Sequence, residues 1–257
     1  MKMLKENEIK ILKKLKDKDL VLDIGGWDKP FNRANYILDI HNFETRGFHG
    51  NQGGNKEFFN KKTWIIHDVS SKKKLPFRDN QFNFVICSHI LEDIRDPLWL
   101  CSEIIRIGKV GYIEVPSVNV ELTKGIMSKD YAGYYHHRWI VEIKGNKIIF
   151  RFKPHFIHND KRFHLPTRFL KKLTEKEKVN FIFWNKEFQF EERIQISRDK
   201  YEEFIYDYIK KECPRKYFYF LLDIKTRLKE KFVKLKKKIL PKSYYHRYMD
   251  VEEVISK

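Results

Sequence analysis

The chain of 257 residues is sparing with three things. Cysteine occurs only at Cys87, Cys101 and Cys213, never as a C-x-x-C pair. That excludes a disulfide framework and suits packing residues of a reduced, intracellular protein. No run of 18 apolar residues occurs, so no membrane-spanning helix is expected; the first 20 residues are charged throughout and lack the apolar stretch of a signal peptide. Glycine is also scarce, at 11 residues, and neither G-x-G-x-x-G nor G-x-x-x-x-G-K-[ST] is present. The dinucleotide and P-loop signatures are therefore absent.

What is present is enough apolar material for one core, 42% hydrophobic and 15% aromatic, and a strong excess of positive charge, +18. The charge is uneven. Residues 215–247 hold twelve Lys/Arg against Asp223 and Glu230, so that segment alone carries +10. Such a balance fits either a solvated surface or an anionic partner: a phosphorylated substrate, a membrane surface or nucleic acid.

The first half of the chain alternates short apolar runs with connections. LVLDI (20–24), NYILD (35–39), WIIHDV (64–69), FNFVIC (82–87) and VGYIEV (110–115) read as strands buried on both faces, as in a parallel sheet. Residues 6–17 predict an amphipathic helix with Ile11, Leu12 and Leu15 on one face. Asp96-Pro97 predicts the start of another, with Leu98, Cys101, Ile104 and Ile105 on one face and Gly108 as the stop. The fold class expected is therefore α/β: a doubly wound, mostly parallel, Rossmann-like sheet.

Sheets of this kind bind ligands at the carboxyl ends of their strands. Asp23 ends the first strand and is followed by Gly25 and Gly26, where backbone can come close to a ligand. Asp39 ends the second strand, where a carboxylate can accept both hydroxyls of a ribose, with Ile40 beside it. Asp68 and Val69 follow the third, suited to an adenine, and Ser88 and His89 end the fourth. This set fits a nucleoside-containing ligand. Asp23 would repel a pyrophosphate and suits a cationic group such as an amine or a sulfonium.

Five stretches in order, VLDIGG (21–26), YILDI (36–40), HDV (67–69), LPFRDNQFNFVICSHILEDIRDP (75–97) and GYIEVP (111–116), resemble the class I S-adenosylmethionine-dependent methyltransferases of the type-11-like group. The resemblance implies S-adenosylmethionine as cofactor. Asp23, Gly25 and Gly26 would hold its methionine part, Asp39 and Ile40 its ribose, and Asp68 and Val69 its adenine. Ser88 and His89 would line the methyl-transfer site. The chain departs from the pattern in three places. Trp27-Asp28 replaces the third glycine, the connection to the second strand is short enough for one helical turn or less, and Leu91-Glu92-Asp93 stands where many relatives read Leu-Glu-His.

After Pro116 the pattern changes. WIVEIK (139–144) and KIIFRF (147–152) flank Gly145-Asn146 and predict a hairpin. Residues 167–178 predict a helix, and 181–184 with 188–196 a second, C-terminal antiparallel hairpin. The domain expected spans 1–200, with 117–166 as a substrate-side insertion and 201–257 as a basic helical extension. Half of the ten histidines cluster in one segment, at His136, His137, His155, His158 and His164. His155-x-x-His158 has zinc-like spacing but no accompanying cysteine, so no metal is expected. Aligning an acceptor with an activated methyl supplies about 7–11 kcal/mol of a barrier, and a base about 10²- to 10⁴-fold. His89 is the first candidate for that base, with His137 and His136 behind it.

The acceptor expected is a small polar molecule, a sugar or lipid-linked glycan hydroxyl of surface-glycan biosynthesis. A nucleic-acid methyltransferase is the alternative enzyme, but no Asn/Asp-Pro-Pro-aromatic motif follows the fourth strand, where the chain reads Cys87-Ser88-His89-Ile90. A third reading is a non-catalytic protein of the same fold docking through its basic helix. That helix, 214–240, carries an apolar stripe of Leu221, Ile224, Leu228, Phe232, Leu235 and Ile239, with Pro241 as its stop. It suits packing on its own domain, an anionic membrane surface or a partner helix. The location expected is cytoplasmic, with peripheral contact at the inner membrane surface left open.

Overall fold

The computed structural model describes residues 2–239. The strands are β1 (Val21–Ile24), β2 (Tyr36–Asp39), β3 (Trp64–Ile66), β4 (Phe84–Ser88), β5 (Val110–Pro116), β6 (Trp139–Lys144), β7 (Lys147–Phe152), β8 (Val179–Asn185) and β9 (Gln189–Glu192). Six of them form one sheet in the order β3-β2-β1-β4-β5-β8, parallel except for β8, which runs antiparallel to β5. This is the Rossmann-like, mostly parallel sheet expected. The order reverses between β1 and β4, so the carboxyl ends of β1, β2 and β4 surround a crevice.

β1 has no exposed residue, which is why it lacks polar alternation. On one face, Leu22, Ile24, Leu38, Val85 and Ile113 pack with α2 (Pro97–Ile107) through Leu100, Cys101 and Ile104. On the other, Val21, Ile37, Ile86 and Tyr112 pack with α1 (Lys5–Lys14) through Ile11. Asp96 caps α2 by accepting from the Trp99 N–H (2.9 Å), with Pro97 at its first position. The face of α2 differs from the one expected: Leu100, Cys101, Ile104 and Ile107 are buried, whereas Leu98 and Ile105 sit at its margin.

No helix joins β1 to β2. The connection is a loop held by Phe31 and Ala34, both buried, and by the Asn32 N–H bonded to the Gln52 carbonyl. The β6–β7 hairpin forms as expected, with Gly145 at φ +61°. The second predicted hairpin does not close. β8 and β9 are joined by a tight turn at Asn185–Glu187, but they enter different sheets. β8 pairs with β5 along its whole length because it buries Val179, Ile182 and Trp184, while β9 adds in parallel to the free edge of β7. The third strand stops at Ile66 rather than running to residue 69.

The predicted helix 167–178 is broken. α5 covers Thr167–Leu170, and Thr174 then caps a separate 3₁₀ turn, Glu175–Lys178, in a capping box with Glu177. A further cluster joins α3 (Val118–Leu122) and α4 (Phe156–Asn159) to α6 (Arg198–Glu212), through Leu122, Ile157, Phe163, Leu165, Tyr201, Ile205 and Ile209. Trp139 and Phe150 are core, whereas Phe152 is exposed. The last element, α7, runs from Lys216 to Ile239. Its first turn is tied to the body by the Lys216 ammonium donating to the Arg162 carbonyl and by Tyr219 against Phe169. Beyond that turn the stripe is not covered by the domain: Leu221 is 66% exposed, Ile224 53%, Leu228 61% and Leu235 55%. The Ile239 side chain and Pro241 lie outside what is described.

Candidate active site at the carboxyl edge of the sheet

A groove of about 750 Å³ opens over the ends of β1, β2, β3 and β4. Asp39, Ile40, Asp68, Val69, Gly25 and His89 line it, as does Trp27 from the first loop. Beside it a recess of about 90 Å³ is lined by Asp23, Gly25, Gly26, Ser88 and His89. All eight candidate cofactor residues therefore meet at one edge, together with His89.

Local folding fixes each of them. Asp39 accepts from the Trp27 N–H (3.0 Å) and the His41 N–H (2.9 Å), one bond to each oxygen. Each oxygen keeps a lone pair for a hydroxyl donor. Asp68 is exposed and caps a 3₁₀ turn through the Ser70 N–H (2.8 Å). Asp23 is buried and accepts from the Phe31 N–H (2.9 Å). Burial pushes its carboxyl up to about 7, the Phe31 bond opposes this, and the Asp39 charge adds to it. The two glycines serve the protein's own side chains. A Cβ on Gly25, at φ +79°, would lie 2.0 Å from Ile90 Cδ1, and one on Gly26 2.5 Å from the Asp23 carboxylate.

Ser88 Oγ is buried without a hydrogen-bond partner among the described residues. His89 adopts φ +59°, a strained left-handed conformation for a histidine at the end of β4. Its Nε2 faces Glu114 (3.1 Å) and its Nδ1 faces Glu92 (3.4 Å). Burial alone would lower its pKa, but the Glu114 and Glu92 carboxylates outweigh burial and raise it. The two carboxylates thus favour the protonated ring.

The histidine-rich segment divides. His136 and Tyr134 reach the groove, as do Met127 and Asp93. His137 is buried, with Nδ1 2.6 Å from Glu121, and stacks on Tyr134. Glu121 also accepts from the Lys153 ammonium (2.6 Å). Burial, followed by the nearby Glu92 charge, pushes the Asp93 carboxyl up to about 7. His158 and His164 are structural: the Ala132 N–H donates to His158 Nδ1 (3.3 Å), and His164 Nε2 bonds the Ile157 carbonyl (2.7 Å). His155 is exposed and stands apart from the groove lining.

Several lining residues escaped sequence reasoning. Trp27, His41 and Phe48 form an aromatic wall, with Trp27 and His41 rings 3.9 Å apart and Trp27 fixed by a bond from its indole N–H to Thr45 Oγ1 (2.9 Å). The only sequence signal was Trp27 itself, in place of a third glycine.

The model of one protein family matches residues 5–182, a span containing the strands β1 to β7, most of β8 and every residue of the groove. The chain belongs to the family described as methionine biosynthesis protein MetW. No curated protein matches it. Among solved structures, similarity is found to a putative methyltransferase from Bacillus halodurans (20% identity over 44% of this chain and 50% of that one, TM-score 0.32). A methyltransferase dependent on S-adenosylmethionine from Aquifex aeolicus is 20% identical over 44% of this chain and 65% of that one, with a TM-score of 0.30. Another from Methanosarcina mazei is 20% identical over 52% and 71%, with a TM-score of 0.33. The chain spans about half the length of the first structures it matches.

Proposed function

We propose that the protein is an S-adenosylmethionine-dependent methyltransferase acting on a hydroxyl of a small polar acceptor, a sugar or lipid-linked glycan. The observation that carries this reading is the pair of buried carboxylates, Asp23 and Asp39, at the ends of adjacent parallel strands, the one lining the recess and the other the groove beside it. The residues fit the cofactor. Asp39 keeps free lone pairs for a ribose, the Asp68 edge suits an adenine, and the recess beside Asp23 suits an α-amino group, with the unpartnered Ser88 Oγ as a further contact. When bound, the cofactor supplies an electrophilic methyl group.

The chain's own part is to bind, orient and manage one proton. The Trp27–His41–Phe48 wall shields one side of the groove. His89 lies between Glu92 and Glu114 at the end of β4. The acceptor side is formed by Tyr134, His136 and Asp93, with His137 held behind them by Glu121. Aromatic and imidazole faces there suit stacking on a sugar ring. The proton of the acceptor hydroxyl passes to a water molecule held at this cluster. The family description names methionine biosynthesis and no acceptor.

Peripheral attachment belongs to the same reading. The α7 stripe, exposed and flanked by lysines, suits an anionic lipid surface, where lipid-linked acceptors lie. No described helix is long and apolar enough to cross a membrane.

Calorimetric titration with S-adenosylmethionine and S-adenosylhomocysteine tests the central claim. Binding on the order of micromolar, lost in Asp39→Ala, is expected. A folded protein that binds neither ligand refutes it and favours a non-catalytic binding protein.

A further inference from the structure

At the acceptor end of the groove, three side chains from two distant parts of the sequence converge. Asp93 Oδ1 stands 3.7 Å from His137 Nε2 and 3.8 Å from His136 Nε2, and the three ligand atoms lie within 4.8 Å of one another. Both contacts are too long for hydrogen bonds. Asp93 Oδ1 is shut off from solvent and has no hydrogen-bond partner among the described residues. A buried carboxylate oxygen facing two imidazole nitrogens across a gap is missing something positive in that gap.

We propose that Asp93, His136 and His137 bind a divalent transition-metal ion of the zinc type. Two imidazoles and one carboxylate are the borderline donor set that such ions take, leaving one or more positions open. Ligand atoms each about 2.1 Å from one ion stand about 3–3.5 Å apart, so the site closes with a small rotation of the half-exposed His136 ring. The support behind it is already built. His137 Nδ1 is bonded to Glu121 (2.6 Å), and Glu121 is held by Lys153 (2.6 Å). A carboxylate on the far nitrogen of a ligating histidine fixes its tautomer and aims its Nε2. Glu92, next in sequence and 1% exposed, adds a second buried carboxylate beside the site and faces His89 Nδ1 at 3.4 Å.

Asp93 and His136 line the groove, so the open positions of the ion face it. The ligands would be water or an oxygen of the acceptor. The site rests on these side chains alone and stands whether or not the transferase reading does.

The test uses the full chain, without an affinity tag, stripped with chelator and titrated with Zn²⁺ or Co²⁺ in the absence of S-adenosylmethionine. One ion per chain is expected, on the order of micromolar or tighter, with a Co²⁺ visible band showing nitrogen ligation. His136→Ala and Asp93→Asn should each weaken binding at least tenfold, and Glu121→Gln about 10–100-fold. His155→Ala, at an exposed histidine away from the groove, should change nothing. Should Asp93→Asn or Glu121→Gln fail to fold, His136→Ala decides alone, because that side chain is 43% exposed. Absence of stoichiometric binding, or binding that His136→Ala leaves intact, overturns the proposal.

Discussion

Asp23→Asn separates what the groove needs from what the fold prefers. In the native state the Asp23 carboxyl ionises near pH 7; its ordinary value is 3.8. Between those values the folded chain holds one proton more than the unfolded chain, so stability is fully present at low pH and falls as pH rises through the native value. The displacement corresponds to about 4 kcal/mol lost by pH 8. The asparagine cannot ionise, and its Oδ1 can still accept from the Phe31 N–H. Its amide N–H groups enter a buried place and cost about 1–3 kcal/mol if left unsatisfied. The variant should therefore be about 1–3 kcal/mol more stable than the parent at pH 8, and within about 1 kcal/mol of it on either side at pH 5. Urea unfolding at both pH values reads this difference. His158, whose pKa burial lowers to about 4, tilts stability the other way below its ordinary value, but it is common to both proteins and cancels. Calorimetry should show that the stabilised variant has lost affinity for S-adenosylmethionine. A stability difference that does not change with pH would refute the account of Asp23.

Three further outcomes follow from the packing. Gly25→Ala combines a left-handed φ with a methyl placed on Ile90, and should cost about 2–3 kcal/mol in urea unfolding; adding Ile90→Ala should recover part of it in a double-mutant cycle. Trp184→Ala empties the space over Gly108 and Gly111, where the indole takes the room of both missing Cβ atoms, and should cost about 3–5 kcal/mol without altering the composition of the groove. Leu228→Asp, in the middle of the exposed α7 stripe, should abolish co-sedimentation with anionic vesicles and leave the melting temperature unchanged. No co-sedimentation by the parent, with a concentration-dependent dimer in the absence of vesicles, would favour a partner helix instead.

The sequence by itself determined the sheet and its edge. Five continuous apolar runs specify parallel strands buried on both faces, and residues at the ends of such strands meet at one edge whatever the loops do. This is why the chain alone places Asp23, Asp39, Asp68 and Ser88 together. Gly145-Asn146 likewise fixed its hairpin through local turn chemistry. Tertiary structure decided everything that depends on which partner a segment finds. The apolar alternation of 181–196 is the same whether its two strands pair with each other or, as here, with β5 and β7. The role of His89 was hidden because Glu92 and Glu114 flank it, the first from the turn that follows and the second from the neighbouring strand β5. The end of the groove at Asp93 was hidden more deeply. In the chain Asp93 is only a departure from the Leu-Glu-His pattern until the fold carries His136 and His137 back from beyond β5 to face it, because long-range contact leaves no period in the chain.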